Sequence, residues 1–161
     1  MHHLPGRRFV FSLARREIRV YARIMNTPCI CTDLRQAARQ LTSIYDAALA
    51  SHGINIAQYF LLRTIADHQP VSLTDLGTMV DLDRSTIGRN VKVLERLGLA
   101  ATGSGKDQRE TVVVLNEEGA VLLRAATPKW ESCQARLVAR LGKQKTAALR
   151  SALSELTTLS I

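Results

Sequence analysis

Ser85, Arg89, Lys92 and Arg96 offer the clearest chemistry in this chain, through their residue types and their spacing. At about 100° per residue, the helical repeat, they gather on one side of the stretch from Asp83 to Gly98. On the other side Val91 and Leu94 fall within about 40° of Ile87, making a narrow apolar stripe. A helix buried along one edge, with hydroxyls and cations along the other, is built to meet an anionic partner. The major groove of duplex DNA offers phosphates and base edges at that spacing. Arg84, Thr86 and Asn90 complete the residues of this helix expected to meet DNA. Arg89 sits where it could reach a base edge, bidentate to guanine, whereas Lys92 and Arg96 lie further along, where phosphate contact is expected.

The cysteines are a second place for chemistry. Cys29-Ile30-Cys31 puts two thiols near a helix start, where the helix dipole lowers a thiol pKa; one reading is a redox sensor, with Cys133 as resolving partner across a dimer. The plain alternative is cysteines with no role beyond packing. A soft metal site is not expected, because a lone C-x-C lacks two ligands. Three cysteines without framework spacing point to a reducing cytosol.

Around the polar helix the chain supplies elements that can hold it. A helix is expected from Asp33, capped by Thr32, with apolar positions from Leu34 to Leu49 and a stop at Gly53. A second runs from Ile56 to His68 and is closed by Gln69-Pro70. Ser72, with Asp75 three residues on, caps a short helix carrying Leu73, Leu76 and Val80. Asp81-Leu82 turns the chain, and Asp83 caps the long helix. Two helices joined so tightly, the second polar outward, form a helix-turn-helix. Leu99 to Thr102 and Thr111 to Leu115 then read as strands around the glycine-rich loop 103–110, a hairpin that makes the motif a winged helix. Asn116 is expected to cap a helix running past Pro128, where a kink is expected, to Leu141. The last helix places Ala148, Leu149, Ala152, Leu153, Leu156 and Leu159 on one seam.

The totals agree. At 161 residues, with 46% apolar and only 4% aromatic residues, the chain suits a Leu/Ala/Val-packed helical fold. No run of 18 apolar residues occurs, so no membrane span is expected. The net charge of +8 is uneven: residues 1–24 carry six Arg against one Glu, a local +5, leaving only +3 from Met25 onward. That segment reads either as a disordered basic arm or as untranslated, with the true start at Met25 instead of Met1. The sequence lacks Gly-x-Ser-x-Gly, His-Glu-x-x-His and a phosphate-cradling glycine loop between strand and helix, so no enzyme and no cofactor are expected.

The order of helices, the loop segment Asp107-x-Arg109, and its continuation through Leu115-Asn116-x-x-Gly119 resemble the MarR family of bacterial winged-helix regulators. Leu82-Asp83-Arg84-Ser85-Thr86, followed by Leu94-Glu95-Arg96-Leu97-Gly98-Leu99, is similar to that family's recognition helix and exit. The likeness spans about Asp33 to Leu159. It implies a mainly α fold with a small β-hairpin wing and with N- and C-terminal dimerisation helices. It further implies a homodimer on a pseudo-palindromic DNA operator, acting as a cytoplasmic repressor released by a small aromatic or lipophilic ligand or by an oxidant. On this reading Lys106, Asp107 and Arg109 form the wing's DNA-contacting tip, Asp107 orienting Arg109. Tyr45, Tyr59, His68 and Trp130 would line an effector pocket. Gly77 departs from the alanine usual there, at about 1 kcal/mol of helix propensity. The expected segments are an extension at 1–24, a dimerisation helix at 25–55, the winged helix-turn-helix at 56–118 and dimerisation helices at 119–161. The rival class is a winged helix serving only as a protein-interaction module, which would bind no DNA.

Overall fold

The computed structural model describes residues 29–105 and 110–159. The expectations for residues 1–24, and for Lys106, Asp107 and Arg109, fall outside that range. The chain divides into two compact units between Gln40 and Leu41.

Helix α1 (Ile30–Leu49) starts three residues earlier than the sequence implies. Asp33 N–H donates to the Cys29 carbonyl at 2.9 Å, so Thr32 lies within the helix and is not its cap. A 3-10 turn (Ala50–His52) follows, and Gly53 ends it at φ 70°, a left-handed conformation that glycine adopts without a Cβ penalty. Helix α2 (Ile56–His68) opens on a capping box that the sequence reading missed: Asn55 Oδ1 accepts from Gln58 N–H, and Gln58 Oε1 accepts from Asn55 N–H, each at 2.9 Å.

Strand β1 (Val71–Ser72) leads directly into helix α3 (Leu73–Met79). Ser72 caps α3 as expected, its hydroxyl accepting from Asp75 N–H at 3.0 Å. The same hydroxyl donates to Asp75 Oδ2 at 2.8 Å, so the carboxylate meets the cap's side chain and not its backbone. After a turn with Asp81 at φ 53°, helix α4 (Arg84–Arg96) begins. Strands β2 (Ala100–Ser104) and β3 (Thr111–Leu115) form the hairpin, with Ala100 opposite Leu115 and Ser104 opposite Thr111.

The hairpin is part of a three-stranded antiparallel sheet ordered β1-β3-β2, in which Val71 also pairs with Val113. At two residues, β1 is too short to show a period-2 pattern, which is why the sequence implied two strands only. Helix α5 (Glu117–Leu141) continues through Pro128, and Gly142 separates it from α6 (Lys143–Thr157). Asn116 does not cap α5 with its side chain; its carboxamide donates to the Gly98 carbonyl at 3.2 Å instead.

One core unites the second unit. Leu49, Tyr59, Leu62, Ile65, Leu76, Ile87, Leu94, Val91 and Val113 are its fully buried large side chains. Two backbone approaches set the spacing around it. A Cβ on Gly119 would lie 1.9 Å from the Leu99 carbonyl oxygen, so only glycine lets α5 start against the approach to β2. A Cβ on Gly77 would lie 2.7 Å from the Leu82 oxygen, so here the departure from alanine has a steric reason beyond helix propensity. Among the described residues no helix is long and apolar enough to cross a membrane, and no group of three His, Cys, Asp or Glu side chains could hold a metal ion.

Candidate nucleic-acid interface

Asp83 builds the start of α4. Its carboxylate Oδ1 accepts from the N–H groups of Ser85 and Thr86, both at 2.9 Å, and from the Ser85 hydroxyl at 2.6 Å, while Oδ2 accepts from the Thr86 hydroxyl at 2.7 Å. These donors stabilise the ionised form, so the Asp83 carboxyl is held well below its ordinary pKa, chiefly by the Ser85 and Thr86 hydroxyls. Arg89 Nη2 in turn donates to Thr86 Oγ1 at 3.2 Å, which steers the guanidinium toward the first turn of the helix. Four residues within about two turns are thus aligned before any partner arrives.

Burial follows the stripe read from the sequence. Ile87, Val91 and Leu94 are buried, while Arg84, Ser85, Arg89, Asn90, Lys92 and Arg96 are exposed and Thr86 is half-buried. Arg89, Lys92 and Arg96 line one shallow groove of about 680 Å³ together with Val93 and Glu95. Asn90 belongs elsewhere: with Val93 it forms one wall of a separate cleft of about 500 Å³, whose other side includes Asn55, Ala57, Gln58 and Phe60 from the start of α2. The three cations thus share a groove with each other, and Asn90 lines a different one.

Glu95 has no role in the sequence reading beyond its place in the Leu94-Glu95-Arg96 exit. Its Oε1 accepts from both the backbone N–H of Thr102, at 3.0 Å, and the Thr102 hydroxyl, at 2.7 Å. The last turn of α4 is thereby tied to β2, an edge strand of the sheet. An acidic residue beside three cations marks the position in the sequence, but nothing there identifies its partner. At the far end of the hairpin, Gly105 N–H donates to the Glu110 carbonyl at 2.8 Å and closes the mouth of the loop.

The proposed pocket residues split. Tyr59 is fully buried, stacks on Trp130 at 5.6 Å between centroids, and donates to Thr127 Oγ1 at 3.3 Å. The Arg63 guanidinium lies 5.2 Å from the centre of the Trp130 ring, a cation–π contact. Tyr45 donates to Gln134 Oε1, one turn further along α5, and burial raises the pKa of its phenol. His68 stands apart, exposed at the C-terminal end of α2 with its Nδ1 at 3.0 Å from the Thr64 carbonyl oxygen. The cysteines also divide: Cys29 and Cys31 are exposed and Cys133 is buried. Hydrogen bonds from the backbone and side chain of Thr32 lower the Cys29 pKa, but a resolving thiol would have to be reached by its partner, and Cys133 is 2% exposed. The thiol reading gains no support from this arrangement.

A helix-turn-helix carrying a cationic groove, completed by a three-stranded winged sheet, defines the class of winged-helix DNA-binding proteins. The MarR family model matches residues 52–110. The organic hydroperoxide resistance transcriptional regulator of Bacillus subtilis is 29% identical over 98 residues, covering 60% of this chain and 67% of the relative. The HTH-type transcriptional repressor NicR of Pseudomonas putida is 30% identical over 109 residues, covering 64% and 69%. Among solved structures, the M. tuberculosis transcriptional regulator MosR in complex with DNA is 30% identical, with a TM-score of 0.67 over 82% of this chain and all of that one. The chain belongs to the MarR family and is a DNA-binding transcriptional regulator.

Proposed function

We propose that two copies of this chain bind a pseudo-palindromic duplex operator as a cytoplasmic repressor, each inserting α4 into a major groove and setting its wing against the flanking minor groove. The observation that carries this reading is the division of α4 into a buried edge and an exposed groove of Arg89, Lys92 and Arg96. Arg89, already steered by Thr86, is the base reader; Lys92 and Arg96 hold phosphates. Lys106, Asp107 and Arg109 would complete the contact at the wing tip. The protein has no catalytic task on this reading, and a small aromatic or lipophilic effector lowers operator affinity.

The pairing surface is supported by α6, where Leu149, Leu153 and Leu156 are each 38–43% exposed, an apolar seam that a second copy would cover. A gel-shift titration on the DNA beside its own reading frame, repeated at rising salt, tests the proposal. Nanomolar, salt-sensitive binding with about 34 Å between half-site centres is expected. Absence of DNA binding at low salt would favour the protein-interaction module instead.

A further inference from the structure

The Glu95–Thr102 contact is where the reading helix and the wing are joined by a side chain. Oε1 takes both donors of one residue, at 3.0 and 2.7 Å, across seven residues of sequence that contain the exit turn Leu97-Gly98. Thr102 sits in the middle of β2, opposite Val113, and β2 has a neighbour on one side only. The Thr102 N–H turned toward Glu95 would otherwise be an unpaired edge donor. The cost of the contact is evident in its setting, because Glu95 puts a negative charge in the groove lined by Arg89, Lys92 and Arg96. On electrostatic grounds alone a carboxylate there weakens attraction to a polyanion.

We propose that Glu95 is a positioning residue for DNA recognition: it fixes the pitch of the wing against α4, so that major-groove and flanking minor-groove contacts fall in register. This rests on the reading in which α4 and the wing both touch DNA. Position and charge then make opposite predictions for Glu95→Ala. Removing a charge tightens binding, whereas releasing the wing loosens it. Glu95→Gln separates the two further, since its amide oxygen can still accept both Thr102 donors while the charge is gone.

The test uses the full chain and a duplex that it selects from a random-sequence pool. Wild type, Glu95→Ala, Glu95→Gln and Thr102→Val are compared by affinity, by hydroxyl-radical footprinting of the flanking minor grooves, and by methylation protection of major-groove guanines. Circular dichroism and thermal melting check that each variant is folded. Glu95→Ala is expected to bind about tenfold more weakly and to lose flanking protection while keeping its major-groove pattern. Thr102→Val, which keeps the backbone donor, is expected to fall between Glu95→Ala and wild type. Glu95→Gln is expected to bind at least as tightly as wild type with its flanking protection intact. Equal or tighter binding by Glu95→Ala with an unchanged footprint overturns the proposal, as does a Glu95→Gln variant as impaired as Glu95→Ala. A wild-type footprint with no flanking protection is a different failure, visible before any substitution is made: it removes the wing reading and the role of Glu95 together.

Discussion

At the scale of single residues, Asp83 and Arg89 set the behaviour of α4. All four donors at the helix start converge on Asp83, so Asp83→Asn should lower the melting temperature at neutral pH. The sign of its pH dependence follows from a depressed carboxyl. Stabilisation is complete above the ordinary value of 3.8 and is lost as pH falls below it toward the folded value. The melting-temperature gap between wild type and Asp83→Asn should therefore stay constant from pH 7 to about pH 5 and shrink in more acid solution; a gap that widens on acidification would contradict the assignment. Arg89→Ala should cost about 1–3 kcal/mol of binding and relax preference at one base pair. Lys92→Ala should weaken binding to all sequences alike, lowering the salt slope by about one. A titration series on the selected duplex and on a scrambled one checks both. The outward cations were legible from residue type and helical angle. Glu95 was not, because its partner lies in another element and no periodicity connects a helix end to a strand. Asn90 was grouped with the DNA-facing residues by type, yet it lines the cleft against α2, as its angle of about 60° from Ile87, beside the buried stripe and not among the cations, implies.

At the scale of elements, the helices and the hairpin were legible because each has a long apolar pattern and a chemical stop. Gly53 and Ser72 act as the sequence implied. What escaped was set by contact between elements. The two-residue β1 exists through its pairing with β3, and Asn116 spends its carboxamide on Gly98 and does not cap α5. Gly119 is the sharpest such contact: an alanine methyl would have to share space with the Leu99 carbonyl. Gly119→Ala should destabilise the fold by at least about 2 kcal/mol through forced separation of α5 from the Leu99 backbone. Gly77→Ala should do so by less, because its closest approach is 2.7 Å and not 1.9 Å. Urea unfolding of both variants measures this, and a neutral Gly119→Ala would mean that the backbone yields more readily than close packing allows.

At the scale of the whole molecule, the proposed pairing makes a separate demand. Leu153 is 40% exposed on α6. Leu153→Asp should leave helical content unchanged and shift the mass measured by light scattering from dimer to monomer. Operator affinity should fall by more than a hundredfold as the second half-site is lost. A variant that stays dimeric would move the interface away from α6.

Ser72 is at once the last residue of β1 and the cap of α3, 7% exposed, so the sheet and the first helix of the motif share a residue. For anyone exchanging specificities between relatives, this determines where the chain can be cut. A graft of α4 alone would import its exposed cations without the strand and helix that precede it. A cassette from Val71 to Leu115 would carry α4 together with β1 and the strand that pairs with it at Val71–Val113.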